Sequence, residues 1–209
     1  MSWIVTADGR EVSLQFPQMQ DFDIGRIAHS LAQINRFTGH AARPYSVAEH
    51  SLLVLDIAEH QLRLDVHGQL VALLHDAHEA YTNDLSTPAK QEVGSGWRAF
   101  EVRFAHLLSL RFGCHTALTH FHTEIQLADR LALATERAQL MPAMQPNGHP
   151  CTPWPVLAGV EPLAGYDLMD PAREAMTWRD WRNAFIDRFE ELQFARAEQS
   201  ALRGHAEAL

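Results

Sequence analysis

The sequence predicts an all-α fold, a helical bundle preceded by a short N-terminal β-hairpin. Three observations carry this. Apolar residues recur at helical spacing in one segment after another, beginning with Ile24, Ile27, Leu31 and Ile34. Moderate strand-like alternation occupies residues 3–15, around the turn pair Asp8-Gly9. Helix start signals punctuate the rest of the chain: Ser46 with Glu49 three residues on, and Ser86-Thr87 before Pro88.

After the hairpin, Pro17 and Asp21-Phe22-Asp23 lead into a first helix expected to run from Ile24 to Arg36-Phe37-Thr38-Gly39, with Gly39 as its stop and Arg36 favouring the helix dipole. Arg43-Pro44-Tyr45 is a turn. Ser46 and Glu49 form a capping box for a second helix reaching about His60, with Val47, Leu53, Val54 and Ile57 in its core face. A turn near Asp65-Val66-His67-Gly68 precedes a third helix, which carries His75 and runs through Tyr81, and Thr82-Asn83-Asp84 breaks it. The next helix, opened by Pro88, carries Trp97, Phe100, Phe104, Leu107 and Leu108, with a bend at Gly94 or Gly96. Thr116 to Gln139 forms another, lined by Ile125, Leu131 and Ala132, with Asp129 in its apolar stretch and Glu136 on roughly the same face.

Six of the ten prolines fall between Pro142 and Pro162, so residues 141–166 are read as a long irregular loop, a lid or an oligomer contact. A C-terminal helix is expected over 167–196, starting near Asp170-Pro171, with a fraying polar tail beyond Arg196. No internal repeat or second domain is visible. Residues 1–209 read as one domain, its core within about 24–140.

With 46% hydrophobic residues the chain can build a core without staples. Cys114 and Cys151 form no metal-type pair, which places the protein in a reducing compartment, the cytoplasm. The first ten residues lack the basic and apolar regions of a signal peptide, and no stretch is long and apolar enough to span a membrane. A formal net charge of −9 without a basic cluster excludes non-specific binding to duplex nucleic acid. A small anionic substrate stays open, provided local positive charge or a metal offsets the field.

The chemistry concentrates in Val71-Ala72-Leu73-Leu74-His75-Asp76-Ala77-His78-Glu79-Ala80-Tyr81. An apolar run of core type is followed by four ionisable groups within five positions. Burying such groups without partners costs several kcal/mol. A divalent cation gives that cost a purpose, because imidazole and carboxylate ligands suit Mn, Fe, Co, Ni or Zn. On a helix, His75 and Glu79 stand at i,i+4 and Asp76 and Glu79 at i,i+3, so the three look toward one region. A His-Asp pair alone is a very weak signal, and a helix N-to-core transition with exposed acids explains the stretch more simply. His78 is a competing ligand at i+3 from His75. His50 by itself is more simply structural, and Asp129 beside Arg130 is more simply a surface pair.

Taken together these residues form an ordered H…HD…D set: His50, then His75-Asp76, then Asp129. The set resembles the HD-domain superfamily of metal-dependent phosphohydrolases. Tyr45-Ser46-Val47-Ala48-Glu49-His50-Ser51 is similar to the first-histidine motif of bacterial HD-domain 5′-deoxynucleotidases. His75 to Lys90 resembles their HD-x-x-E-x-x-x-x-D-x-x-T-P-x-K stretch, and Ile34-Asn35-Arg36-Phe37 their arginine-aromatic pair. Ile27-Ala28-His29-Ser30-Leu31 and Arg36-Phe37-Thr38-Gly39-His40 also resemble compact phage and bacterial deoxynucleoside triphosphohydrolases. The resemblance covers about residues 24–140.

The resemblance implies a helical HD domain holding one divalent metal ion (Mn, Co, Fe, Ni, Zn or Mg) on His50, His75, Asp76 and Asp129. It implies that Glu79 is the general acid/base, that Asp84 orients the attacking water or the sugar, and that Arg36 grips phosphate. Lys90 would add positive charge, and His29 and His40 would lie on the substrate side. Phe37 stands where the nearest nucleotidases have tryptophan, so nucleoside packing differs there. The substrate is then a nucleotide, either a 5′-monophosphate or a deoxynucleoside triphosphate, and the enzyme a homo-oligomer. The alternative is a metal-holding regulatory or interaction module of the same fold without catalysis. A zincin-type protease is disfavoured, because Asp76 stands where H-E-x-x-H requires Glu.

Overall fold

The computed structural model describes residues 2–206. Strands β1 (Trp3–Val5) and β2 (Glu11–Ser13) pair antiparallel with Ile4 opposite Val12. Gly9 turns between them at φ +81°, and Val12 is the buried residue that pins the hairpin to the body. Everything else that is regular is helical: α1 (Ile24–Leu31), α2 (Val47–Asp56), α3 (Val66–Leu74), α4 (Glu79–Thr82), α5 (Thr87–Val93), α6 (Ser95–Arg111), α7 (His115–His120), α8 (His122–Leu140), α9 (Pro171–Ala175) and α10 (Trp178–Ala206). The expected all-α class with an N-terminal hairpin is what forms.

Helix α3 is the axis of the bundle. Leu70 to Leu74 are all buried, which is how a helix apolar on every side sits in a fold. It packs against α2, α7, α8 and α10. Gly68 admits the Leu64 side chain and the α7–α8 junction: a Cβ there would stand 2.9 Å from Leu64 Cβ and 3.3 Å from the Phe121 ring. One hydrophobic cluster runs from Val12 through α1, α2, α3, α6 and α8 to Leu192 on α10.

Several boundaries differ from those expected. The first helix stops at Leu31, not near Gly39. The backbone then pairs with the turn before α2: Arg36 N–H donates to Tyr45 C=O, Val47 N–H donates to Ile34 C=O, and Asn35 bridges Ser46. These tertiary bonds take the groups a helix would use internally. Phe37 and Thr38 then turn back at φ +56° and +54°, a conformation costing roughly 1–2 kcal/mol per non-glycine residue. The third helix is interrupted over His75–His78, where Ala77, Glu79, Ala80 and Tyr81 N–H groups bond three residues back instead of four. The helix expected from Thr116 to Gln139 divides at Phe121 into α7 and α8.

The capping box is half present. Ser46 Oγ accepts from Glu49 N–H, but the Glu49 carboxylate turns away to Arg43 and Arg173. Gly94, at φ +81°, makes the bend between α5 and α6. Residues 141–166 are largely irregular and exposed, with a 3-10 turn at Pro155–Leu157 and a bridge between Met144 and Pro150. The C-terminal segment is two helices. Asp170 caps α9 at Ala172 N–H, and Thr177 and Asp180 bond reciprocally at the start of α10. Helix α10 continues past Arg196, whose guanidinium docks on the Phe112 and Gly113 carbonyls at the end of α6. The last three residues of the expected tail lie outside the described residues. Among those described, no helix is long and apolar enough to cross a membrane. Cys114 and Cys151 are not bridged.

Candidate metal centre

Three elements bring the titratable residues together. Helix α2 carries His50 inward on its second turn, fully buried. The end of α3 delivers His75, and the tight turns after it swing Asp76 beside it. Helix α8 brings Asp129 to His50.

His50 Nε2 stands 3.3 Å from His75 Nε2 and 3.5 Å from Asp76 Oδ2, and His75 Nε2 stands 3.1 Å from Asp76 Oδ2. Asp129 Oδ1 lies 3.3 Å from His50 Nε2. First-row divalent ions take nitrogen and oxygen at ~2.0–2.2 Å, so two ligands on one ion stand roughly 3.0 Å apart at a right angle and roughly 3.4 Å apart at the tetrahedral angle. The observed separations are edges of such a polyhedron. His50, His75 and Asp76 could hold a metal ion as a mutually close group. Asp129 meets the group through His50, and its side chain, 43% exposed, has room to turn.

The imidazoles are oriented by their other nitrogens. His75 Nδ1 bonds Ala72 C=O at 2.8 Å. His50 Nδ1 bonds Glu136 Oε1 at 2.6 Å. Both Nε2 atoms therefore face the carboxylates.

Burial and the Arg36 charge push the His50 imidazole down, but Glu136 and Asp129 outweigh them and hold it up at about 9. His75 is likewise raised, burial notwithstanding, by Asp76. Burial raises Asp76, yet the His75 and His50 imidazoles hold it well below the usual carboxylate range. Asp129 is lowered in the same way, chiefly by His50. Glu79 goes the other direction: burial first, then Asp76 and Asp84, push it well above its ordinary value.

Around the group stand the other predicted residues. Glu79 is buried, with Oε1 3.9 Å from Lys90 Nζ and Oε2 lacking a hydrogen-bond partner. Arg36 is expected at the end of the first helix, favouring its dipole. Instead it is only 8% exposed, with Nη1 3.8 Å from Asp76, Nη2 3.1 Å from Glu136, and Nε unpartnered. The bridge to Tyr45–Ser46 turns its side chain inward. Asp84 lies within electrostatic reach of Arg36 and Asp76, and burial raises its carboxyl. Lys90 is tied to Glu101 at 2.7 Å. His78 points away from the group, toward Glu101 at 3.9 Å.

His29 and His40 share no hydrogen bond or ion pair with the group. His29 packs edge-to-face on Trp178, and His40 is exposed. Phe37 meets Trp154 of the 141–166 loop at 5.9 Å, and the Arg36 guanidinium lies 5.4 Å from its ring centre.

Sequence reasoning missed two supports. Glu136 gave no signal beyond its helical register with Asp129. Glu49, explained away as a cap, is fully buried and accepts from Arg43 at 2.6 and 2.9 Å and from Arg173 at 3.0 Å, which clamps the segment before α10 onto α2 next to His50.

Fold and site define a helical protein with a partly buried His/His/Asp group that could hold a metal ion. The chain is 35% identical over 143 residues to the uncharacterised protein RCAP_rcc00048 of Rhodobacter capsulatus, covering 66% of this chain and 73% of that one. It is 31% identical over 160 residues to the uncharacterised protein YfdR of Escherichia coli, covering 77% and 81%. The chain belongs to the family that these proteins represent. No family profile matches it.

Proposed function

We propose that the protein is a metal-dependent nucleotide phosphohydrolase of HD-domain type. The observation that carries the reading is the convergence of His50, His75 and Asp76 at coordination-polyhedron spacing, with Asp129 3.3 Å from His50, beside a buried acid and a buried arginine. The donor set fits a divalent cation. Two nitrogens and carboxylate oxygens face inward, with the two imidazoles 3.3 Å apart. His50, His75 and Asp76, joined by Asp129, would hold the ion. When bound it supplies positive charge that offsets the phosphate and polarises its P–O bonds.

The protein's own groups do the rest. Arg36 holds its Nη2 on Glu136 and offers Nη1, on the Asp76 side, to phosphate oxygens. Glu79 has a carboxyl raised well above the usual range by burial and by its Asp76 and Asp84 neighbours, which favours a bound proton. It donates that proton to the nucleoside 5′-oxygen as the P–O5′ bond breaks. The water that attacks phosphorus loses a proton, which restores Glu79 for the next turnover. Asp84, facing Arg36, orients this water or the sugar. Monophosphate and triphosphate substrates share this bond cleavage and differ only in the group released, phosphate or triphosphate. The homo-oligomer belongs to the same proposal, and sedimentation velocity checks it.

The test is a screen of deoxy- and ribonucleoside mono- and triphosphates with Mn and Co added, reading released phosphate and triphosphate with and without chelator. Chelator-sensitive release supports the enzyme. Metal binding without release from any nucleotide overturns it in favour of a non-catalytic metal module.

A further inference from the structure

We propose that Glu136 is a positioning residue whose single carboxylate sets both the metal-facing imidazole of His50 and the phosphate-facing guanidinium of Arg36. The inference rests on the function proposed above and adds a residue and a coupling to it.

Glu136 lies on α8 two helical turns beyond Asp129, on the same face. It is completely buried. Its Oε1 accepts from His50 Nδ1 at 2.6 Å and from the Tyr45 hydroxyl at 2.9 Å, and its Oε2 accepts from Arg36 Nη2 at 3.1 Å. Donors from α2, from the turn before it and from the segment after α1 thus end on one side chain. A buried salt bridge by itself is weak grounds for stability, since desolvation offsets much of the attraction. The geometry points to orientation instead.

With Nδ1 engaged, His50 has only Nε2 to offer, and Nε2 is the atom that faces His75, Asp76 and Asp129. Outer carboxylates that hold metal-ligating histidines in this way are worth about 10–100-fold in metal affinity. The second oxygen fixes one end of the Arg36 fork 3.1 Å away, so Nη1 stays beside Asp76 and Nε stays free. Metal centre and phosphate clamp therefore move together or not at all.

Glutamine separates the two roles. Its amide has one oxygen. With that oxygen on His50 and Tyr45, the amide NH2 faces the Arg36 guanidinium, donor against donor. Glu136→Gln should keep His50 oriented and release Arg36, whereas Glu136→Ala should release both.

The experiment uses the full chain, labelled with 15N-histidine, with circular dichroism confirming helicity. The His50 Nδ1–H proton, buried and strongly bonded, gives an exchange-protected far-downfield resonance that vanishes in His50→Gln and reports orientation whether or not metal is present. The expected results are this resonance in wild type and Glu136→Gln but not in Glu136→Ala. Mn2+ affinity should fall about 10–100-fold in Glu136→Ala. Inorganic phosphate should bind the Mn2+-loaded Glu136→Gln protein about tenfold more weakly or worse, the scale of one lost charged hydrogen bond. A resonance that persists in Glu136→Ala, or Mn2+ and phosphate affinities unchanged in both variants, overturns the proposal. A wild type that binds no Mn2+ overturns the metal reading instead, and the resonance still decides whether Glu136 holds His50.

Discussion

Metal binding should tighten steeply with pH. The metal-free His50 imidazole is held up at about 9, so below that pH an incoming ion must displace its Nε2 proton. One such proton makes the apparent affinity rise about tenfold per pH unit, or roughly 100-fold between pH 6 and pH 8. His75, also raised, adds to the slope in the same direction. Asp76 and Asp129 are lowered and already ionised, so they add nothing above pH 6. At a metal concentration 100 times Kd the fold gains about 2.7 kcal/mol, which is roughly 5–11 °C in Tm for a domain of this size. Without metal the sign is opposite. A raised imidazole stabilises the fold fully below its unfolded value near 6.5, and that contribution is lost as pH rises through about 9. Metal therefore adds most where the free fold is weakest. Titration calorimetry with Mn2+ at pH 6, 7 and 8, in two buffers of different ionisation enthalpy, measures both affinity and protons released. A flat affinity, no proton release, or an undiminished affinity in His75→Ala would refute the reasoning.

Glu79→Ala should keep the metal and lose roughly 10²–10⁴-fold in kcat, the usual worth of general acid–base catalysis; wild-type turnover with metal bound would mean that Glu79 moves no proton. Glu49→Ala leaves the buried Arg43 guanidinium uncompensated and should cost about 3–5 kcal/mol, or roughly 6–20 °C in Tm; a thermal scan showing a drop under about 2 °C would sink the clamp. Trp154→Ala removes the loop's aromatic partner of Phe37 and should raise KM about tenfold with kcat unchanged, as expected for one lost stacking contact; an unchanged KM would reduce the 141–166 loop to a connection.

Much of the fold was legible because it is written in local chemistry. Period-3.6 apolar spacing placed the helices, and Ser46, Asp170 and Gly94 marked caps and a bend where the structure has them. The order of His50, His75-Asp76 and Asp129 was readable too. Boundaries failed where a distant partner intervened. Residues 32–39 kept a helical pattern, yet pairing of Asn35 with Ser46 drew them out of the helix and carried Arg36 into the interior. The run through His75 looked continuous, but three-residue turns tighten it and bring His75 Nε2 to Asp76. His29 and His40 looked alike in sequence, and only the packing of α1 on α10 set His29 on Trp178 and left His40 outside.

The sequence by itself determined that this is an all-α protein with a front hairpin, and which residue types are available for a cation: helix periodicity, caps and residue chemistry are properties of neighbours along the chain. Tertiary structure alone decided which of thirteen histidines face one another, that Glu49 clamps Arg43 and Arg173, and that Glu136 lies under His50 and Arg36. The physical reason is separation: Glu136 stands 86 residues from His50 and 100 from Arg36, and no local pattern records which buried carboxylate will meet which donor once the helices pack.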